Sequence, residues 1–112
     1  MSSLVSESKV IAALNDNLRR FHQGGMVVIS RGVAALSRPV WAEIIVAVAE
    51  FDRFTPDNDP YGEHDCAVVE VDGLTVIFKF DYFDPDMLHH SDDPTDPAKT
   101  RRVMTIMLAE EY

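Results

Sequence analysis

The residues best suited to chemistry in this chain lie in one polar segment, residues 54–65, which reads FTPDNDPYGEHD. The segment carries four carboxylates, an amide, a phenol and an imidazole, and its prolines and glycine are turn formers that restrict the backbone. Loops held on a rigid scaffold often carry function. We therefore predict a set of binding residues from this segment and from one strand beside it: Asp57, Asn58, Asp59, Tyr61, Glu63, His64, Asp65 and Asp81.

The start of this segment resembles a calcium-binding loop, but only over a few positions. An EF-hand needs an oxygen ligand at position five and a bidentate glutamate at position twelve. Counted from Asp57, those positions hold Tyr61 and Val68. An EF-hand is therefore excluded, and a looser cation site that uses Asp57, Asp59 and a backbone carbonyl stays open. The structural alternative is that Asp57, Asn58 and Asp59 cap turns with their own side chains.

A histidine and a cysteine lie two positions apart at the end of the segment. We predict that His64 pairs across two strands with Asp81, whose carboxylate would orient the imidazole as a general base. Cys66 would share that strand face, and Lys79 opposite it would favour the thiolate. A Cys–His nucleophile also needs an oxyanion hole, and no glycine motif for one is present. We predict no catalytic residues.

Three histidines and nearby carboxylates provide the ligand types of a transition-metal site. His64 could combine with His89, His90 and either Asp92 or Asp93. Adjacent histidines point apart in most backbones, and neither an H-E-x-x-H nor a C-x-x-C pattern occurs. We assign no metal site and no cofactor. A small metal-binding module, or a metal-dependent hydrolase, centred on the polar segment remains the alternative function.

The charge of the chain is strongly acidic and unevenly distributed. The formal net charge is −9, yet residues 50–96 carry fourteen acidic residues against Arg53 and Lys79, a net charge of −12. Direct binding to nucleic-acid phosphates is therefore disfavoured. Such a surface suits a cation, a basic protein partner, or solubility alone.

Length and composition predict one domain over residues 1–112, without a disulfide because Cys66 is the single cysteine. Residues 1–7 have neither a basic stretch nor an apolar core, so we predict no signal peptide. The longest apolar run, residues 44–49, is far shorter than a membrane span. We predict a cytoplasmic protein that does not bind membranes.

Hydrophobic periodicity predicts two helices and four strands. Apolar residues at helical spacing indicate helices over residues 6–23 and 38–53, and residues 26–29 read as a short buried strand. The pair Asp72-Gly73 predicts a two-residue hairpin turn. An inner strand follows at residues 102–109.

The hairpin turn sets a register in which Val71 faces Leu74 and Cys66 faces Lys79. The residues that this register places on the core face are all apolar or aromatic: Ala67, Val69, Val71, Leu74, Val76, Phe78, Phe80 and Tyr82. The predicted fold class is α+β, an antiparallel sheet of about four strands with two helices on one face, in the order α-β-α-β-β-β.

A long motif over residues 51–65, FDxFTxDNDPYGEHD, resembles a bacterial family of domains of unknown function. The resemblance runs from about residue 11 to the end of the chain. Further matching positions are Leu14-Asn15-Asp16, Arg19-Arg20, Gly25-x-Val27-Val28, Arg31-Gly32-Val33, Asp81-Tyr82, Asp93-Pro94 and Thr105 to Tyr112. The resemblance implies a single domain that is common on plasmids and other mobile elements, and it implies no catalytic residues.

These observations lead to one functional expectation and one structural alternative. We expect a non-enzymatic accessory protein that binds a basic protein partner through an acidic face, in a mobile-element or host-defence context. The structural alternative is that the polar segment is a clamp. In that case Asp and Asn side chains bind backbone amides, and Tyr61 packs beside Phe54 over the sheet edge.

Overall fold

The computed structural model describes residues 6–112, so the predicted absence of a signal peptide concerns residues that lie largely outside it. The helices are α1 (Glu7–Phe21), α2 (Arg31–Ala34) and α3 (Arg38–Glu50), and the strands are β1 (Met26–Ile29), β2 (Cys66–Val71), β3 (Leu74–Phe83) and β4 (Arg101–Leu108). Short 3₁₀ turns lie at Pro97–Lys99 and Ala109–Glu111. The α+β class with a four-stranded sheet is confirmed.

Local signals at both ends of α1 explain its extent. The Ser6 hydroxyl accepts a hydrogen bond from the Lys9 amide, which caps the first turn. The helix ends because His22 takes a left-handed conformation with φ 55°, and its amide donates to the Leu18 carbonyl. The helix therefore ends at Phe21, two residues before the predicted end at residue 23.

The short helix α2 was not predicted. The Ser30 hydroxyl accepts a hydrogen bond from the Val33 amide, and the Glu111 carboxylate accepts one from the Gly32 amide at 2.9 Å. A carboxylate at a helix N-terminus is favourable because the first amides are otherwise unpaired. Ser30 is a local capping signal, but the carboxylate comes from the far end of the chain, so the sequence around residue 30 indicates only part of what stabilises α2.

The helix α3 ends at Glu50 rather than at residue 53. Phe51 is extended, with φ −61° and ψ 131°, and the chain turns there so that Phe51 and Phe54 reach the sheet. Both rings pack edge-on against Phe78, with centroids 5.7 and 6.3 Å away. Aromatic packing against the sheet therefore replaces the predicted last helical turn.

The sheet is mixed, with strand order β1-β4-β3-β2. The hairpin of β2 and β3 has the predicted register, from Val71 opposite Leu74 to Cys66 opposite Lys79, and β3 pairs antiparallel with β4. The prediction of a purely antiparallel sheet is wrong, because β1 runs parallel to β4. The turn after α1 brings the chain to the start of β4, where a Cβ at Gly25 would clash with the Arg102 carbonyl oxygen.

One face of this sheet and all three helices form a single hydrophobic core. The completely buried residues include Leu18 of α1, Val33 of α2 and Ile44 of α3, packed over Phe78 and Ile106 of the sheet. Among the described residues, α1, α2 and α3 all leave the opposite face of the sheet uncovered. None of the helices described between residues 6 and 112 is both long and apolar enough to cross a bilayer.

Candidate functional site

The first half of the polar segment is closed by its own side chains. The Asn58 side chain accepts a hydrogen bond from the Thr55 amide at 2.8 Å and donates one to the Arg53 carbonyl at 2.9 Å. The Asp59 amide donates to the Thr55 carbonyl at 2.8 Å. Because an Asn side chain imitates a backbone turn, these hydrogen bonds stabilise the shape of this part of the loop locally.

The second half of the segment turns around a buried carboxylate. Asp59 is only 6% exposed, and both of its oxygens accept from the His64 amide, at 3.2 and 3.3 Å. Between Asp59 and His64 in the sequence, Gly62 has φ +69° and donates its amide to the Asp59 carbonyl at 3.1 Å. The side chains of Asn58 and Asp59 thus act as the structural alternative requires.

The imidazole of His64 lies between α1 and the polar segment. Its ring stacks on Phe54 with centroids 4.0 Å apart, and its Nδ1 lies 3.0 Å from both carboxylate oxygens of Asp16. Its Nε2 is 3.8 Å from Asp59 Oδ2. His64 itself has φ 56°, an uncommon conformation for a non-glycine residue that these contacts hold in place.

The predicted pairing of His64 with Asp81 is wrong. The left-handed conformation of His64 removes it from the strand, and β2 begins only at Cys66. Asp81 instead lies on the helix-free face of the sheet, where its carboxylate accepts a hydrogen bond from Lys79 at 2.5 Å. The acidic partner of His64 is Asp16, which comes from α1.

A buried arginine joins α1 to the end of α3. Arg19 is 1% exposed, and its Nη1 donates to three carbonyls at the C-terminus of α3: Val48 at 2.9 Å, Ala49 at 3.1 Å and Phe51 at 2.7 Å. Its Nη2 binds Asp16 at 2.7 Å. A cation is stabilised at a helix C-terminus because the last carbonyls have no partners within the helix.

The buried side-chain amide of Asn15 connects α1 to the polar segment and to strands β3 and β4. The Asn15 side chain donates to the Glu63 carbonyl at 3.0 Å and to the Tyr82 hydroxyl at 2.8 Å, and it accepts from Arg102 Nε at 2.7 Å. The Tyr82 hydroxyl donates in turn to the Glu63 carboxylate at 3.2 Å. Burial is the main cause that raises the pKa values of Tyr82 and Glu63.

Sequence reasoning missed Asn15, Asp16 and Arg19 as partners of the polar segment. The available signal was spacing, since Asn15 and Arg19 follow Ile11 at intervals of four and therefore lie on the apolar stripe of α1. A polar residue on such a stripe is buried and needs partners.

We call Asn15, Asp16 and Arg19 of α1, together with the groups that they bind, the hub. The second acidic loop, residues 84–100, is attached to the hub through Arg102. Arg102 Nη2 donates to the Pro94 carbonyl at 2.5 Å, and the guanidinium lies over the Tyr82 ring at 5.2 Å. Within the loop, Asp93 accepts from the hydroxyl and the amide of Thr95, and these bonds lower the pKa of Asp93. Asp84 and Asp96 likewise accept backbone amides.

Residues 51–65 and 84–100 lie at the same end of the sheet, where β2 begins, β3 ends and β4 begins. We call these two loops the acidic end. Together they contain ten carboxylates against Arg53 and Lys99. The most exposed of the carboxylates are Asp52, Asp57, Asp86 and Asp92.

The predicted binding residues do not form one cluster. Asn58, Asp59, Glu63 and His64 are engaged in the loop and its hub, as described above, and Asp65 is half-buried with its pKa raised chiefly by burial. Asp57 is exposed, and Asp81 lies apart with Lys79. The expected packing of Tyr61 beside Phe54 is wrong, because Tyr61 is 74% exposed and His64 takes that place.

The remaining reactive groups are not arranged around a common point. Burial, followed by the charge of Asp65, raises the pKa of the Cys66 thiol, although Lys79 opposes this, so the thiolate is disfavoured. His89 and His90 are exposed. Within residues 6–112, no three His, Cys, Asp or Glu residues are placed so that they could hold a metal ion.

We expect substitutions in the polar segment to affect stability according to these contacts. Gly62→Ala should lower the free energy of unfolding by about 1 kcal/mol, because alanine resists a positive φ. Asp59→Ala should cost about 1–2 kcal/mol, because a buried cap of the His64 amide is lost. Tyr61→Ala should change stability little. Urea unfolding measures all three, and a Tyr61→Ala loss as large as that of Asp59→Ala would contradict the described loop.

Comparison with curated proteins found no match, and comparison with solved structures found none either. A family model does match, over residues 29–111, and its description is a protein of unknown function. The match includes the polar segment, the acidic end and the whole hairpin, whereas α1 precedes it. Since the match covers most of the 112 residues, the chain belongs to the DUF3768 family of proteins of unknown function.

Proposed function

We propose that this protein is a non-enzymatic accessory protein that binds a basic protein partner through the acidic end. One observation supports the proposal most directly: two loops that are separate in sequence, residues 51–65 and 84–100, present their carboxylates at the same end of the sheet. Clustered charge of one sign attracts an oppositely charged partner and steers its approach.

The carboxylates divide into those that build the loops and those that are free to bind. Asp59, Asp84, Asp93 and Asp96 accept backbone amides, so their charges are used within the loops. Among the described carboxylates of the acidic end, four others make no side-chain hydrogen bond and are exposed: Asp52, Asp57, Asp86 and Asp92. These four are the proposed contact residues, held in place by loops that Asn15 and Arg102 anchor.

The hub also supports a binding role over a catalytic one. His64 Nδ1 is engaged by Asp16, and its Nε2 lies 3.8 Å from the Asp59 carboxylate, a group that is not the hydroxyl or thiol of a nucleophile. Ionisation of the Cys66 thiol to the thiolate is disfavoured, because burial raises its pKa. For the mobile-element or host-defence setting the support is the sequence resemblance alone, and the free thiol of Cys66 suits a reducing compartment such as the cytoplasm.

The metal-dependent alternative has weaker support. Its proposed ligands Asp57 and Asp59 differ in environment, since Asp57 is exposed and Asp59 is buried under the His64 amide. Elemental analysis of untagged protein, with thermal melts in zinc, manganese and calcium, tests it directly. A stoichiometric metal would replace our proposal with this alternative.

Neutralising the four contact residues should abolish capture of a basic partner. We would immobilise the native protein and the variant Asp52→Asn/Asp57→Asn/Asp86→Asn/Asp92→Asn, and incubate both with native host lysate at about 0.1 M salt. The native protein should retain one or a few basic proteins that elute at about 1 M salt, because screening weakens exposed charge pairs. The variant should retain none of them.

A matched variant controls for net charge alone. Glu43→Gln/Glu70→Gln/Asp72→Asn/Glu110→Gln removes the same number of charges from exposed residues away from the acidic end. It should retain the partner as the native protein does, and the purified partner should then bind the native protein directly. Equal retention by both variants would show that the acidic end is not the binding surface.

A further inference from the structure

The helix-free face of the sheet, which we call the open face, carries more apolar residues than is usual for a sheet face exposed to water. A sheet face exposed to water normally alternates to polar residues. Here Val68, Ile77 and Met107 form a continuous row across β2, β3 and β4. On the other side of the face, Val103 pairs with Met26 of β1, next to Val28.

The burial of these residues follows their place on the open face. Met107 and Val103 are nearly buried by their neighbours alone, because β4 is one of the two inner strands and carries apolar residues on both faces. Toward the two edges, Val68 is 54% exposed, and Met26 and Val28 are also exposed. Single exposed apolar residues are ordinary, but an unbroken apolar row across β2, β3 and β4 indicates an interaction surface. Lys79 and Thr105 lie between this row and Val103.

A groove of about 520 Å³ lies on this face and connects it with the acidic end. Met107, Cys66 and the exposed ring of Tyr112 line its apolar part, and Asp65 and Asp81 line its acidic part. Glu111 adds a third carboxylate to the lining, and the one lysine, Lys79, is already paired with Asp81. The lining therefore combines apolar side chains with the three carboxylates of Asp65, Asp81 and Glu111, which we call the acidic rim.

We infer that the open face docks an amphipathic, positively charged segment of the partner. The inference rests on the proposed function and deepens it, since it names the kind of segment bound. Apolar side chains of the segment would cover the row from Val68 to Met107, and its Lys or Arg side chains would meet Asp65 and Asp81 beside the acidic end. Such a helix-in-groove arrangement combines apolar burial with charge at the rim.

Charge argues against a second copy of this chain as the occupant. Each copy carries a formal net charge of −9 and the same acidic rim, so face-to-face packing would bring like charges together. The same carboxylates that would repel a second copy would attract a basic segment.

A pair of synthetic peptides tests the inference. One peptide of about 18 residues consists of Leu and Lys at helical spacing, with one apolar face. The other has the same composition in an order without an apolar face. By fluorescence anisotropy, the native protein should bind the amphipathic peptide about tenfold more tightly, and Val28→Lys/Val68→Lys should abolish that preference.

The control variant is Val46→Lys, which changes an apolar residue of α3 that is 53% exposed and lies away from the open face. It should keep the tenfold preference. If the double lysine variant unfolds, Val28→Thr/Val68→Thr replaces it, since threonine keeps the β-branched shape. A preference that survives in a folded open-face variant, or that is lost in Val46→Lys, overturns the inference.

Two further measurements separate this inference from the proposed function. The acidic-end variant should weaken binding of both peptides while keeping the preference between them. If it binds both peptides as the native protein does, that result contradicts the proposed function but not this inference. Sedimentation of the native protein should show a monomer. A dimer that Val68→Lys dissociates would assign the open face to a second copy and overturn the inference.

Discussion

Replacing Arg19 with methionine is expected to lower the free energy of unfolding by about 3 kcal/mol, a large part of the stability of a small domain. The side chain is buried, and in the described structure the substitution leaves the carbonyls of Ala49 and Phe51 without a donor. The Val48 carbonyl keeps only the Phe51 amide, at 3.4 Å, and the Asp16 carboxylate loses its cation. Methionine fills most of the volume, so the loss reports the polar contacts rather than a cavity.

The expected value lies at the low end for a broken buried pair. Arg19 Nε is buried without a partner in the described structure, and this existing cost disappears in the variant. Urea unfolding at constant pH measures the effect, and Arg20→Met, at the exposed neighbouring position, is the matched control. Equal losses in the two variants would mean that the contacts of Arg19 contribute nothing specific.

Replacing Asn15 with alanine is expected to have a comparable effect, about 3 kcal/mol. The variant removes both donors to Glu63 and Tyr82 and the acceptor of Arg102 Nε. Each buried group left unpaired costs about 1–3 kcal/mol, but Tyr82 can still donate to Glu63, so the losses do not simply add.

The Asn15 variant should also release the acidic end. Both loops are attached through this amide and through Arg102, so we expect faster amide hydrogen exchange in residues 84–100 and around Glu63. Asn17→Ala, two positions along the same helix and less buried, should leave exchange and stability nearly unchanged. Unchanged exchange in Asn15→Ala would show that the loops hold their positions without the hub.

Local signals predicted those elements whose partners are near in sequence. The hairpin register followed from Asp72-Gly73, whose φ values of 52° and 78° are those of a two-residue turn, and from alternation along β2 and β3. The start of α1 followed from apolar residues at helical spacing, and Ser6 caps it there. A short-range pattern was sufficient in each case because the interactions that stabilise these elements are themselves short-range.

The errors concern contacts between distant parts of the chain. α2 depends on Glu111, and the parallel direction of β1 depends on the close approach of Gly25 to Arg102. The His64–Asp81 pairing failed for a different reason, since it assumed that the strand continued to residue 64. The left-handed backbone of His64 is stabilised by Asp16 and Asp59 in three dimensions, and no strand pattern indicates it.

The sequence by itself determined that this is an acidic α+β protein with a hairpin at residues 66–83 and a self-closing polar segment. Periodicity, turn residues and charge count depend only on order along the chain. The tertiary structure decided that α1 supplies the partners of His64 and that two acidic loops meet at one end of the sheet. In the part of the chain that the structure describes, it also left the sheet face with the row Val68, Ile77 and Met107 without a covering helix. Those features depend on which distant segments pack together, and packing is a property of the whole chain rather than of any local pattern.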